Sequence, residues 1–150
     1  MTADKRAQVI SEARSWVGTP FRHQAAFKGV GVDCAKLVYE VGIAAGVLAR
    51  DEIKWSAYAH YSRLPSPSHM GAAILRFLFP IVAADAREGD VLWLEWRENM
   101  PMHLAIVAMH EGRHKLIHAT EAIGRVVEHE LSSDWRTKIN SAWRYPGLMS

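Results

Sequence analysis

The sequence predicts an α+β fold, with N-terminal helices packed on a central antiparallel sheet. Two observations lead there. Apolar residues in the first third recur at helical spacing, and from Gly89 onward the pattern changes to short apolar runs typical of strands. Helices first and a block of strands after them indicate α+β rather than the regular alternation of a parallel sheet. A chain of 150 residues is read as a single domain with a proper hydrophobic core.

Residues 3–17 read as an amphipathic helix, with Val9, Ile10, Ala13, Trp16 and Val17 on one face and charged residues on the other. Gly18-Thr19-Pro20 ends it. A loop is expected over 21–32, with Gly29 and Gly31 near its end. Asp33 is a good N-cap, and Leu37, Val38 and Val41 then predict a buried helix that stops near Gly46. The stretch 50–67, with Trp55, Tyr58, Tyr61, Pro65 and Pro67, predicts loop with short helical pieces. Ser68 is expected to cap a helix that runs through Phe79 and is ended by Pro80.

Strands are predicted over 91–96, 103–109, 115–119 and 125–130, then a short helix capped around Ser132-Ser133-Asp134, then a last strand over 141–145. His110-Glu111-Gly112-Arg113 is read as the turn joining the second and third strands. That turn pairs Met109 with His114, which places His103 and His118 on one face as diagonal neighbours. A turn one residue longer or shorter would send them to opposite faces.

Hydrophobic residues make up 49% of the chain and charged residues 23%, an ordinary balance for a globular protein. The formal net charge of +2 is too small to imply nucleic acid. The single cysteine excludes an internal disulfide and a multi-cysteine metal site, and no metal or cofactor is expected. Met1 to Arg6 lacks the apolar core of a signal peptide, and runs such as Ile81 to Ala84 are too short to span a membrane. The expectation is synthesis in the cytoplasm without a cleaved signal, and no membrane partner.

The lone Cys34 falls where a Gly-containing loop turns into a helix. A thiol on the first helical turn sits at the positive end of the helix dipole, which is expected to lower its pKa and favour the thiolate. Cys34 is therefore the candidate nucleophile. His103 is the candidate base and acid, and His118 the group that holds its ring. The backbone N–H of Cys34 is a candidate oxyanion donor. His60, His69, His110, His114 and His129 are read as structural, and the six tryptophans as core and cleft wall. Trp93 and Trp96 break strict alternation, so one of them faces the surface or marks a bulge.

Ala13 to Arg22, Gly31-Val32-Asp33-Cys34, Gly89-Asp90-Val91, His103 to Val107 and Ile117-His118-Ala119, in this order, resemble the NlpC/P60 cysteine peptidases. The combination G-T-P-F-R-H-Q and G-V-D-C is most similar to cell-wall peptidases encoded with phage tail genes and gene-transfer-agent particles. The resemblance runs from Ala13 to Ala119, with 50–87 unmatched. It implies a papain-like α+β fold and hydrolysis of peptidoglycan stem peptides between γ-D-glutamate and a diamino acid. It also implies Cys34, His103 and His118 as the catalytic triad and Asp33 beside the substrate. The partners it implies are peptidoglycan peptide and phage-like tail proteins, with incorporation into a particle.

The chain departs from the family pattern in three places. Ala35-Lys36 replaces the usual Ser-Gly after the cysteine, and Phe21 stands where a Tyr hydroxyl often does. His23 is a candidate replacement donor. Asp33, Phe21, His23 and Lys36 are thus the candidate substrate-binding residues. Residues 50–87 read as an insertion, either a wall over the cleft or a packing element. Two other readings compete with the peptidase. One is acyl transfer or deacylation on the same Cys-His site. The other is a non-enzymatic tail component with a degenerate site.

Overall fold

The computed structural model describes residues 2–51, 74–97 and 100–149. The expectations for Trp55, Tyr58, Tyr61 and the Ser68 cap lie outside the described residues. Helix α1 (Thr2–Ser15) buries Val9, Ile10 and Ala13, with Arg6 beside them. Trp16 follows into the core, but Val17 is 46% exposed and does not belong to the buried face as expected. The stretch read as loop contains a small hairpin of β1 (Ala26–Phe27) and β2 (Gly31–Val32).

Helix α2 (Cys34–Ala44) begins as its capping residue dictates. Asp33 is extended, and its Oδ1 accepts the Lys36 N–H at 2.9 Å. Gly46 closes the other end at φ +74, a left-handed conformation that glycine adopts without strain. Ala35, Leu37, Val38, Tyr39, Val41 and Gly42 are buried, so the helix is enclosed on most sides. The Tyr145 hydroxyl donates to the Val38 carbonyl at 2.6 Å.

Ile74 to Leu78 is buried apart from Arg76, and of the helix expected to reach Phe79 the described end is helical at Ile74 and 3-10 through Phe77. A 3-10 turn (Leu75–Phe77) gives way to strand β3 (Phe79–Ile81), with Pro80 inside it. A missing N–H is tolerated there because β3 is the outermost strand of its sheet. The remaining strands are β4 (Val91–Arg97), β5 (Met100–His110), β6 (Arg113–Thr120), β7 (Arg125–Glu130) and β8 (Ile139–Arg144), with the short helix α3 (Ser133–Arg136) before β8. They form one six-stranded antiparallel sheet in the order β3-β8-β4-β5-β6-β7. Met109 pairs with His114 as the turn required. Glu111 at φ 50 and Gly112 at φ 76 make the two-residue turn whose twist suits a hairpin. The register of β4 shifts on both sides of Leu94.

Each face of the sheet carries its own apolar cluster. Val91, Leu104, Ile106, Ile117, Ala119 and Val126 pack with α1 and α2. Leu92, Leu94, Ala105, Val107 and Leu116 pack on the other face with Leu131 and Trp135. Among the described residues no helix is long and apolar enough to cross a membrane.

The seam between α2 and the C-terminal segment makes one sharp prediction. Alanine is normally better than glycine in a helix by about 1 kcal/mol. At Gly42 a Cβ would lie 2.5 Å from Cε1 of Tyr145 and 3.0 Å from Cβ of Leu48. The ring is fully buried and anchored by its hydroxyl, so it cannot swing aside. Gly42→Ala is therefore expected to destabilise the protein by about 1–3 kcal/mol. Urea unfolding checks this, and a variant more stable than the parent would refute the close packing.

Candidate active site

Cys34 is the first residue of α2 and is partly exposed. The backbone N–H groups of Leu104 on β5 and of Ala35 and Cys34 at the helix start lie near the sulfur and favour its ionised form. Leu104 is the strand residue that follows His103. The paired part of β5 and β6 runs from Ile106 with Ile117 to His110 with Arg113, so His103 and His118 lie beyond the last pair.

His103 and His118 are both buried, and Nε2 of His103 lies 2.5 Å from Nδ1 of His118. The row of imidazoles continues. Nε2 of His118 is 2.7 Å from Nε2 of His129, and Nδ1 of His129 is 2.8 Å from the Glu130 carbonyl oxygen. Successive rings stand nearly perpendicular, at 71° and 69°. Trp135 packs against the last two, with centroids 5.2 Å from His118 and 4.9 Å from His129.

No protein-family model matches this sequence, and no curated protein does. Solved structures are similar over nearly all of it. An NLP/P60 family protein similar to a lipoprotein, from Staphylococcus aureus, superposes on 95% of this chain with a TM-score of 0.62 at 18% identity. The NlpC/p60 domain of the peptidoglycan hydrolase SagA covers 92% of this chain and 97% of that domain, with a TM-score of 0.57 at 21% identity. The chain has the NlpC/P60 fold. RipD from Mycobacterium tuberculosis, described as a non-catalytic NlpC/p60 domain protein adapted to peptidoglycan binding, is also similar. It covers 93% of this chain and 95% of its own, with a TM-score of 0.56 at 16% identity. The present chain spans only 41% and 40% of the length of the S. aureus protein and of a similar one from Bacillus cereus.

Within this NlpC/P60 fold the thiol is not ionised at rest, contrary to the expectation from its place on the helix. Burial pushes Cys34 up from 9.0 to about 12, and the carboxylate of Asp33 pushes the same way. The N–H groups of Leu104, Ala35 and Cys34 oppose this, as the helix dipole argument anticipates, but they are outweighed. Burial lowers His103 to about 4 and His118 to about 2. At rest the thiol and both imidazoles are therefore neutral.

The four candidate substrate-binding residues are placed differently from one another. Asp33 is buried, and both carboxylate oxygens accept backbone N–H groups, from Lys36 at 2.9 Å and Gln24 at 2.8 Å. Burial raises its carboxyl, while those two bonds and the nearby charges of Lys36 and His23 lower it. Phe21 is half-buried against the core, and its N–H donates to the Gly124 carbonyl at 2.8 Å. His23 is exposed and Lys36 half-buried. Two groups near the candidate residues carry no site signal in the sequence. His129 was read as structural, although its place opposite Leu116 on β7 puts it on the face of His118. The Leu104 N–H has no side-chain signal at all.

Proposed function

We propose that this domain is an NlpC/P60 cysteine peptidase that hydrolyses amide bonds in peptidoglycan stem peptides. The bond is the one between γ-D-glutamate and a diamino acid. One observation carries the reading. The Cys34 sulfur lies near the N–H of Leu104, and the neighbouring residue, His103, is hydrogen-bonded to His118. In this reading they serve as nucleophile, base and orienting group, in the order in which they follow along the sequence.

In this reading the Cys34 sulfur attacks the scissile carbonyl carbon and its proton passes to Nδ1 of His103. The carbonyl oxygen takes up the negative charge near the N–H groups at the start of α2. The C–N bond then breaks, and His103 returns the proton to the leaving amine. Water, deprotonated by the same nitrogen, cleaves the thioester and restores the thiol. His118 holds His103 in place throughout. Asp33 shapes the cleft by fixing Gln24 and the start of α2, and Phe21, His23 and Lys36 lie nearby to contact the peptide. Residues 1–150 act as one catalytic domain, and the resemblance of 18–34 to tail-associated peptidases supports delivery in a phage-like particle.

The test is digestion of purified peptidoglycan of several chemotypes, with mass spectrometry of the released peptides. The wild type should release peptides cut after γ-D-glutamate, and Cys34→Ala should release none. A second reading is peptidoglycan binding without hydrolysis. The raised thiol and the Ala35-Lys36 departure favour it. Sedimentation of the wild type with peptidoglycan, with no peptide released, would decide for that one.

A further inference from the structure

We propose that His129 is a positioning residue that fixes the tautomers of His118 and His103, so that the base presents an unprotonated Nδ1 to the thiol. The inference rests on the hydrolytic reading for its consequence, but its geometry stands alone. The Glu130 carbonyl oxygen can only accept, so Nδ1 of His129, 2.8 Å away, carries a proton. When His129 is neutral that is its one proton, and its Nε2 is a lone pair. Nε2 of His118, 2.7 Å from it, must then be the donor, which leaves Nδ1 of His118 as an acceptor. Nε2 of His103 donates to that atom across 2.5 Å. The proton of His103 is thereby held on Nε2, and Nδ1 is left as the proton acceptor.

Without His129 the chain loses its directed end. His118 could place its proton on either nitrogen. In the wrong tautomer it would donate to His103 and draw the lone pair of the base toward itself. Trp135 keeps the arrangement by packing on both rings. The cost of a misdirected tautomer is felt in turnover, not in substrate binding.

The deciding experiment uses the full chain with imidazole nitrogens labelled with ¹⁵N. Long-range proton–nitrogen spectra report which nitrogen of each ring carries the proton. In the wild type, His103 and His118 should both be protonated on Nε2 and His129 on Nδ1. His129→Phe keeps an aromatic ring against Trp135 but offers no acceptor. It should leave His118 a mixture of tautomers and lower kcat on a γ-D-glutamyl–diaminopimelate stem peptide about tenfold or more, with KM within about twofold. His129→Gln places a carbonyl oxygen near the position of Nε2 and should restore the wild-type pattern and most of kcat. Unchanged tautomers in His129→Phe, or a His129→Gln protein as impaired as His129→Phe, would overturn the proposal. If the wild type cleaves no stem peptide, the hydrolytic reading fails while the nitrogen spectra still decide the role of His129.

Discussion

Asp90→Ala lowers the unfolding free energy by about 3–5 kcal/mol, the range for removing one partner of a buried ion pair. The reason is the company Asp90 keeps. It is fully buried, as is nearly all of Arg6 on α1. Its Oδ1 accepts from Arg6 at 3.1 Å and from Arg144 Nε at 2.9 Å, and its Oδ2 accepts from Arg144 Nη2 at 2.9 Å and from the Arg87 N–H at 2.8 Å. One carboxylate thus ties α1, the approach to β4 and strand β8. Truncation leaves the Arg6 guanidinium buried, still donating to the Glu88 carbonyl at 2.7 Å but without its carboxylate. For a chain of this size the thermal midpoint should fall by about 10 °C. Asp90→Asn keeps acceptor capacity and should lose less. Calorimetry of both variants checks this, and a shift under about 2 °C for alanine would show that the pair contributes little net stability.

The fold was legible wherever one local signal and one periodicity agreed. Asp33 as a cap and Leu37, Val38 and Val41 at helical spacing point to the same helix start, and α2 begins at Cys34. The turn at Glu111-Gly112 set the register of β5 and β6 because two residues with positive φ close a hairpin in one way only. The failures have physical causes. Phe79 reads as the last residue of a helix because Pro80 usually stops one, yet an edge strand tolerates the same missing N–H. The hairpin of Ala26–Phe27 and Gly31–Val32 has too few residues to show a period.

The candidate site divides along the same line. Positions on paired strands could be reasoned about, which is how His103 and His118 came to share a face. His129 could not, because its place depends on how β7 pairs with β6, and the single Gly124 in the loop at 121–124 does not by itself set that pairing. Summing the burial around a thiol was equally out of reach. Helix position is local and visible in sequence, whereas burial is set by elements far apart in the chain.

The consequence for Cys34 is the other large effect. A thiol raised from 9.0 to about 12 keeps its proton through the pH range in which a free thiol loses it. At pH 7–8 three units correspond to about a thousandfold less thiolate, so iodoacetamide should label the folded protein about a thousandfold more slowly than the unfolded chain. Restricted access could also slow labelling, and the pH profile separates the two. Access scales the rate but does not move the plateau. The unfolded chain should plateau above pH 9, while the folded protein keeps gaining about tenfold per unit beyond it. The sign for stability follows. The raised thiol stabilises the folded state below pH 9, and that contribution is lost as pH rises toward about 12. His103 and His118, lowered from 6.5 to about 4 and about 2, act in the opposite window. Between pH 6.5 and those values the unfolded chain takes up protons that the folded site refuses, so stability falls with acid. For catalysis, a base lowered to about 4 remains unprotonated far below pH 6.5, and kcat/KM should lack the acid limb of an ordinary histidine. Labelling at pH 6 faster than that of free cysteine would mean a resting thiolate–imidazolium pair. Slow labelling combined with turnover would mean that the thiol is ionised only as the carbonyl arrives, with His103 taking the proton during the attack.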